Sequence, residues 1–175
     1  MSARFLFPQL LGVAFDALPT TVRALHTREG VQRYRGSVEV ERGNGLLSRL
    51  CAWATRLPPA WQGPITVEIA AIEACEHWTR IVACHAMRSR LWAGDGLLCE
   101  RLGLVTFGFR LGMENKSIVW RVARVRALGI PLPAAWFGGV TACESERGGR
   151  YNFDVAARLP LAGLLVHYRG SLDVE

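Results

Sequence analysis

Apolar and polar residues alternate along most of the chain after Gly63, and this period of two constrains the fold more than any other feature of the sequence. Successive side chains of a strand point to opposite faces, so each alternating run predicts a strand with one buried face. Turn residues separate several of the runs, at 94–96, 114–116 and 147–149, and such short connections predict hairpins and an antiparallel sheet. The runs are 65–71, 78–87, 105–113, 118–122, 151–155 and 164–168.

The N-terminal part of the chain has a helical period instead. Apolar residues recur there at steps of four and three, which predicts a stripe that faces the core. Pro19 suits the first turn of a helix far better than its middle, so we predict two short helices that join near Leu18, the second ending at Gly30. The residues of the stripe are Leu11, Phe15, Leu18, Val22 and Leu25.

A strand and a third helix are predicted before Gly63. Residues 34–41 alternate as a half-exposed strand does, and Leu46, Leu50, Trp53 and Leu57 then follow at helical spacing. Pro58 and Pro59 would end this internal helix, and Asn44 is a candidate N-cap.

A short sequence near the start is echoed at the end. Residues 34–40 and 168–174 share five identities and two conservative changes in seven positions. We predict that the two segments are neighbouring or equivalent strands of one sheet. Both copies carry a glycine, Gly36 and Gly170, on the apolar face, where it permits another element to approach closely. Residues 128–133 contain Pro131 and Pro133 and predict an irregular connection that leads into a short turn of helix at 134–137.

Composition excludes several classes of protein. The 175 residues are 50% apolar and carry a formal charge of +6, as a single globular domain over 1–175 would. Cationic and acidic residues are interleaved, which argues against a nucleic-acid partner. Five cysteines without CxxC spacing predict free thiols in a reducing compartment and a cytoplasmic protein. No apolar run approaches the ~20 residues of a transmembrane helix, and no signal peptide is expected.

Two local patterns suggest a cofactor or a metal, and neither is sufficient. The sequence 43–48 has a Gly-x-Gly turn between a strand and a helix, but Ser48 replaces the third glycine of a dinucleotide fingerprint and no further βαβ unit follows. Cys75, His77, Cys84 and His85 lack the spacing of structural zinc ligands. We therefore predict no cofactor and no metal.

Taken in order, the segments resemble a bacterial family known as domain of unknown function 4166, nearly end to end. The resemblance is carried by Leu18-Pro19, Val22-Arg23, Leu25-His26, Arg35-Gly36, Val40-Glu41-Arg42-Gly43, Trp78-x-Arg80, Arg88-Ser89, Glu100-Arg101-Leu102-Gly103, 128–133, Ala142-x-Glu144, Phe153-Asp154-Val155 and 160–172. Members of this family look like stand-alone proteins or modules behind saccharopine-dehydrogenase-like domains. The resemblance implies a stand-alone version here, a link to an NAD(P)-dependent dehydrogenase-like partner, and no assigned catalytic residue.

These observations predict an α+β fold. A strongly curved antiparallel sheet of about eight to ten strands, barrel-like or wrapped as a helix-grip, would carry the N-terminal helices and the one internal helix. The leading interpretation is a non-enzymatic module that binds a small organic ligand, which could be anionic, or serves a dehydrogenase-like partner.

Two other functions stay open. One is an enzyme that uses Glu100, Arg101 and His167 for acid and base chemistry. The other is a purely structural interaction domain with a filled core.

The candidate ligand-binding residues are Arg80, Arg88, Arg101 and Glu100. They lie on consecutive predicted strands, where neighbouring side chains can meet, and arginine suits the capture of a carboxylate or phosphate. The three arginines are predicted to converge at the mouth of a pocket. The alternative is that Glu100 and Glu144 pair with them inside the protein, which would make the cluster structural.

Overall fold

The computed structural model describes residues 5–72 and 74–174, and it begins with three short helical segments. Helix α1 is Leu6–Leu11, a 3-10 helix follows at Gly12–Ala17, and helix α2 is Thr20–Leu25. The predicted break near Leu18 is confirmed. Helix α2 ends five residues before Gly30, because His26 leaves the helical conformation and Gly30 already begins the first strand.

The rest of the described chain forms eleven strands and one further α-helix. Helix α3, Leu46–Thr55, lies between the first two strands, and a 3-10 helix at Ala134–Phe137 follows the eighth, as predicted for 134–137. The strands are β1 Gly30–Arg42, β2 Trp61–Ile72, β3 Cys75–Val82, β4 His85–Gly94, β5 Leu97–Leu102, β6 Val105–Glu114, β7 Ser117–Ala127, β8 Ile130–Leu132, β9 Gly139–Arg147, β10 Arg150–Leu159 and β11 Gly163–Asp173.

All eleven strands belong to one antiparallel sheet that closes on itself. The sheet runs from β6 through β5, β4, β3, β2, β1, β11, β10 and β9 to β7, and β7 pairs with β6 to complete a ten-stranded barrel. Strand β8 extends the sheet from the end of β7. The predicted α+β class with a strongly curved antiparallel sheet is confirmed.

The two echoed segments are neighbouring strands, as predicted. Strands β1 and β11 are antiparallel, with Gly36 opposite Leu172 and Val38 opposite Gly170. A Cβ on Gly36 would overlap the carbonyl oxygen of Ser171, and a Cβ on Gly170 would overlap that of Ser37. Each glycine therefore makes room for the backbone of the other copy, which explains why the glycine recurs.

Three local predictions are wrong. The run 78–87 is two strands, because a turn at Ala83 and Cys84 interrupts it, with Ala83 at φ 53°. Residues 130–132 pair regularly with β7 instead of forming an irregular connection. Pro131 is tolerated there because β8 has a single neighbour, so its missing N–H breaks no second ladder. Gly45, not Asn44, is the N-cap of α3, without a side-chain cap.

The N-terminal helices close one end of the barrel. Phe7 is fully buried, stacks on His26 with 3.5 Å between ring centroids, and packs near Trp78 and Trp120. The hydroxyl of Thr21 donates to Glu146 at 2.7 Å, beside the β9–β10 turn. At the opposite end, helix α3 packs on the beginning of β11, at Leu164, and on the β5–β6 turn. The space between the two caps is the candidate site.

Candidate functional site

A cavity of about 370 Å³ lies inside the closed sheet. Its walls are the inward faces of most strands, and the residues are mainly aliphatic and aromatic because the inward phase of each alternating run is apolar. The apolar lining includes Val67, Trp78, Met87, Phe107, Phe109, Trp120, Ala142, Phe153, Val155, Ala157 and Leu172. The alternative of a purely structural domain expected a filled core, whereas the closed sheet encloses this cavity.

The cavity reaches the surface beside helix α3. Leu50 of α3 lines the cavity although its residue surface is 59% exposed, and Thr141 on the other side of the opening is exposed as well. Strand β9 pairs with β7 only from Thr141 to Glu144, opposite residues 118–121 of β7. Farther along β7, at residues 125–127, the pairing partner is β8. Phe137 fills part of the resulting gap. The mouth lies between α3 and this gap in the wall.

Helix α3 faces the barrel with small residues. Ser48, Ala52 and Thr55 are buried, whereas Leu46 and Trp53 point to solvent and Leu50 is exposed at the mouth of the cavity. The Ser48 hydroxyl donates to the carbonyl oxygen of Leu164 at 2.8 Å. This orientation corrects the simplest interpretation of the helical stripe, in which the apolar side would pack on the sheet. Close packing on β11 leaves room only for small side chains.

A buried ion pair joins β3 to β5 on the cavity wall. The guanidinium of Arg80 donates from Nη2 to Glu100 Oε1 at 3.4 Å and from Nη1 to the Ser89 hydroxyl at 3.0 Å. The ring of Trp78 lies 4.8 Å from the same guanidinium. Burial alone would lower the pKa of Arg80. The charge of Glu100 and the hydrogen bond to it act in the opposite direction, and the pKa of Arg80 is above its usual value. Arg80 therefore stays charged, and Glu100 balances that charge.

Two phenols and a second carboxylate complete the polar group. Tyr151, Tyr168 and Glu144 line the cavity with Arg80 and Glu100. Burial raises the pKa of Tyr168 to about 12, and burial together with Glu144 raises that of Tyr151 well above its usual value. Both phenols are therefore neutral near pH 7 and can donate a hydrogen bond.

The polar group is continuous with the N-terminal helices through a histidine. Nε2 of His26 lies 2.6 Å from Glu144 Oε2, and both side chains are buried. Trp78 Nε1 donates to Glu76 at 2.8 Å, and burial raises the pKa of that carboxyl. Two buried polar atoms of this group, His26 Nδ1 and Trp120 Nε1, have no hydrogen-bond partner among the residues that the structure describes.

The structure separates the predicted site residues into two pairs. Arg80 and Glu100 meet inside the barrel, but Arg88 and Arg101 are exposed on its outer face, where they lie opposite Thr79 and Arg90. The predicted convergence of three arginines at a pocket mouth is wrong, because Arg88 and Arg101 occupy the outward phase of their strands. The alternative in which Glu100 pairs with an inward arginine holds for Arg80.

The three residues suggested for acid and base chemistry are also kept apart. Arg101 is on the outer face, and His167 is half-buried on that face with its Nε2 2.8 Å from Asp154. Only Glu100 faces the cavity. Tyr151, Tyr168 and His26 were not among the site residues predicted from the sequence. The phase of alternation could have indicated Tyr168, which falls on the same face as Val166 and Leu172.

Among residues 5–72 and 74–174, no three His, Cys, Asp or Glu side chains are grouped to hold a metal ion. None of the helices in that part of the chain is long and apolar enough to span a membrane. All five cysteines are free, and Cys51 lines the cavity next to Leu50.

No curated protein matches this chain in sequence. A family model described as domain of unknown function DUF4166 matches residues 18–172, which is nearly the whole chain and includes the polar group, α3 and both echoed strands. The chain therefore belongs to the DUF4166 family.

Proposed function

We propose that this protein binds a small, mainly apolar organic molecule inside its closed sheet, as a non-enzymatic carrier or accessory module. The observation that carries the proposal is the cavity of about 370 Å³, whose lining is apolar apart from one group of charged and phenolic side chains. Ligand sites usually combine a cavity of ~300 to 1,000 Å³ with a few polar groups that orient the ligand. The mouth beside α3 supplies a route of entry.

Arg80 and Glu100 are the proposed polar contacts, together with Tyr151 and Tyr168. Because Glu100 balances Arg80, and Glu144 is bonded to His26, the lining offers no surplus positive charge to an anion. A neutral polar end, such as a hydroxyl or an amide, can accept from Tyr168 without leaving a buried charge unpaired, whereas the Tyr151 hydroxyl is bonded to Glu144. We therefore favour a neutral polar end over the anionic one that the sequence suggested.

The test compares ligands of equal chain length and different polar ends. Native mass spectrometry of the purified protein should detect a co-purifying small molecule. Displacement of a fluorescent apolar probe should then be stronger for a fatty alcohol than for the matching fatty acid. Ala157→Phe places a ring in the cavity and should abolish probe binding. The matched control is Ala156→Phe, because the neighbouring residue lies on the opposite face of β10 and does not line the cavity.

Equal probe binding by wild type and Ala157→Phe would refute the proposal, provided both variants unfold cooperatively. Preference for the fatty acid would refute the neutral polar end and restore Arg80 as an anion-binding residue.

A cytoplasmic location and a dehydrogenase-like partner belong to the same proposal. Five free thiols support a reducing compartment. The partner rests on the family resemblance. Co-purification of the protein with an NAD(P)-dependent dehydrogenase from a bacterial host would test this part separately.

A further inference from the structure

Exposed apolar side chains are concentrated at one end of the closed sheet. We call it the apolar end and define it by the six connections 43–60, 83–84, 103–104, 128–129, 133–138 and 160–162. Leu161 is 91% exposed, Leu46 84%, Leu128 73% and Trp53 71%. The other large apolar residues exposed at this end are Leu47, Leu50, Trp61, Leu104, Ile130 and Trp136. Apolar exposure on this scale marks an interaction site.

Contacts between the connections show that they form one surface. The backbone N–H of Leu104 donates to the carbonyl of Ala54 at 3.0 Å, and that of Leu128 donates to Leu104 at 2.9 Å. His85 Nε2 lies 2.9 Å from the carbonyl oxygen of Arg56. The apolar side chains of α3 therefore sit beside those of the β5–β6 and β7–β8 turns, around the mouth of the cavity.

All charged residues within the six connections of the apolar end are cationic. None of the six contains Asp or Glu, whereas α3 and the residue after it carry Arg49 and Arg56. Arg101, Arg126 and Arg158 are exposed at equivalent positions, each two residues before a connection. Within the described chain these five arginines have no ion-pair partner, while the nearby Glu41 lies 3.7 Å from Arg169.

The opposite end has different chemistry. Turns there carry Asp95 and Glu114, which form ion pairs with Arg124 and Arg121. Val13 is the large apolar residue most exposed on that side. The asymmetry between the two ends shows that the cationic and apolar character is local and does not follow from the overall charge of +6.

We propose that the apolar end docks on the surface of an anionic lipid bilayer. Leucine and tryptophan side chains that protrude from several loops can enter the interfacial region, and the surrounding arginines attract anionic headgroups. A second copy of the chain fits less well, because a symmetric dimer through this face would bring the unpaired arginines of both copies together. Docking would place the mouth of the cavity against the lipid. The inference rests on the surface alone and does not require the proposed ligand.

The experiment is flotation of the purified protein with vesicles of phosphatidylcholine alone or mixed with phosphatidylglycerol. Binding should be at least about tenfold tighter to the mixed vesicles and should weaken with added salt. Leu46→Ser combined with Trp53→Ser should weaken it about tenfold, since both side chains are exposed and their removal leaves the core intact. Arg49→Gln combined with Arg158→Gln should remove the preference for phosphatidylglycerol.

Matched controls lie at the opposite end. Val13→Ser and Arg147→Gln remove an exposed apolar residue and an exposed arginine there and should leave vesicle binding unchanged. Ala157→Phe should also bind vesicles normally, so loss of the ligand and loss of docking are distinguishable. The proposal is overturned if the mixed vesicles capture no more protein than phosphatidylcholine alone or if Val13→Ser weakens binding as much as the α3 variant. It is also overturned if the α3 substitutions dissociate a dimer and do not change flotation.

Discussion

Neutralising Glu100 should destabilise the protein strongly, because its carboxylate is the partner of a buried arginine. The Arg80 and Glu100 side chains are 10% and 7% exposed and lie 3.4 Å apart. At an effective dielectric constant of about 20, that separation corresponds to about 5 kcal/mol of attraction, an upper bound on what the pair contributes. Breaking a buried pair by removing one partner usually costs about 3 to 5 kcal/mol.

Glu100→Gln should fall at the lower end of that range, at about 3 kcal/mol. Ser89 still accepts a hydrogen bond from Arg80, and the Trp78 ring still faces the guanidinium. For a chain of this length, about 3 kcal/mol lowers the Tm by roughly 6 to 12 °C. Urea unfolding followed by circular dichroism would measure the free energy, and calorimetry the Tm.

A double-mutant cycle separates the pair from simple loss of packing. Arg80→Met combined with Glu100→Leu removes both charges and should be about 2 to 3 kcal/mol more stable than the sum of the single effects predicts. Arg101→Gln is the matched control, because it changes the adjacent arginine on the outer face and should alter stability by less than about 0.5 kcal/mol. Additive single effects, or a loss below about 1 kcal/mol for Glu100→Gln, would refute the reasoning.

Two further predictions concern the strand pair and the pH dependence of stability. Gly36→Ala should lower the free energy of unfolding in urea by about 1 to 3 kcal/mol, because its Cβ meets the carbonyl of Ser171. The control Gly112→Ala has no atom within 4 Å of the new Cβ and should be neutral or slightly stabilising. Equal effects of the two substitutions would contradict the close approach. Burial raises the pKa of Glu76 above 4.5, so the folded state binds its proton more tightly than the unfolded chain does, and this group's contribution to stability falls as pH rises above 4.5. Glu76→Gln should therefore gain stability relative to wild type as pH rises above 4.5, and a difference that shrinks with rising pH would contradict the sign.

Strands and hairpins could be predicted from the sequence because their signal is local. The period of two defines which residues share a face, and turn residues mark where each strand ends. The pairing of β1 with β11 could also be inferred, because the two segments match in sequence and lie near the two ends of the chain. The β6–β7 hairpin follows from the turn at 114–116, but closure also requires β7 to pair with β9 across β8, and no local pattern indicates that pairing.

The error at Arg88 follows from one unrecognised turn. If 78–87 were a single strand, continuing its phase would place Arg88 on the same face as Arg80. The turn at Ala83 and Cys84 instead places His85 opposite Val82, so Met87 and Ser89 face inward and Arg88 faces outward. A two-residue hairpin therefore reversed the face of a predicted ligand residue. The outward position of Arg101 follows from alternation alone, because its neighbour Glu100 faces inward.

The orientation of α3 could not be predicted from its hydrophobic stripe. A helical stripe of Leu46, Leu50 and Trp53 normally faces the core, since apolar burial is the main source of helix stability in proteins. Here the carbonyl of Leu164 approaches Gly43 and Ser48 closely enough to exclude larger side chains. Which face of a helix is buried then depends on the space that the sheet leaves, and periodicity carries no information about that space.

Two features of this fold run against local stability, and both adjoin the same cavity. Burial of Arg80 and Glu100 has a desolvation cost that an apolar pair would avoid. The exposed leucine and tryptophan side chains of α3 leave apolar surface in water, which polar residues at the same positions would not do. A sequence optimised only for folding would contain neither feature. Departures of this kind from the usual pattern of burial concentrate at functional sites. The ion pair lies on the wall of the cavity and the exposed helix at its mouth. A molecule that entered past α3 would meet apolar walls first and the Arg80 group within, so the two costly features lie on one path.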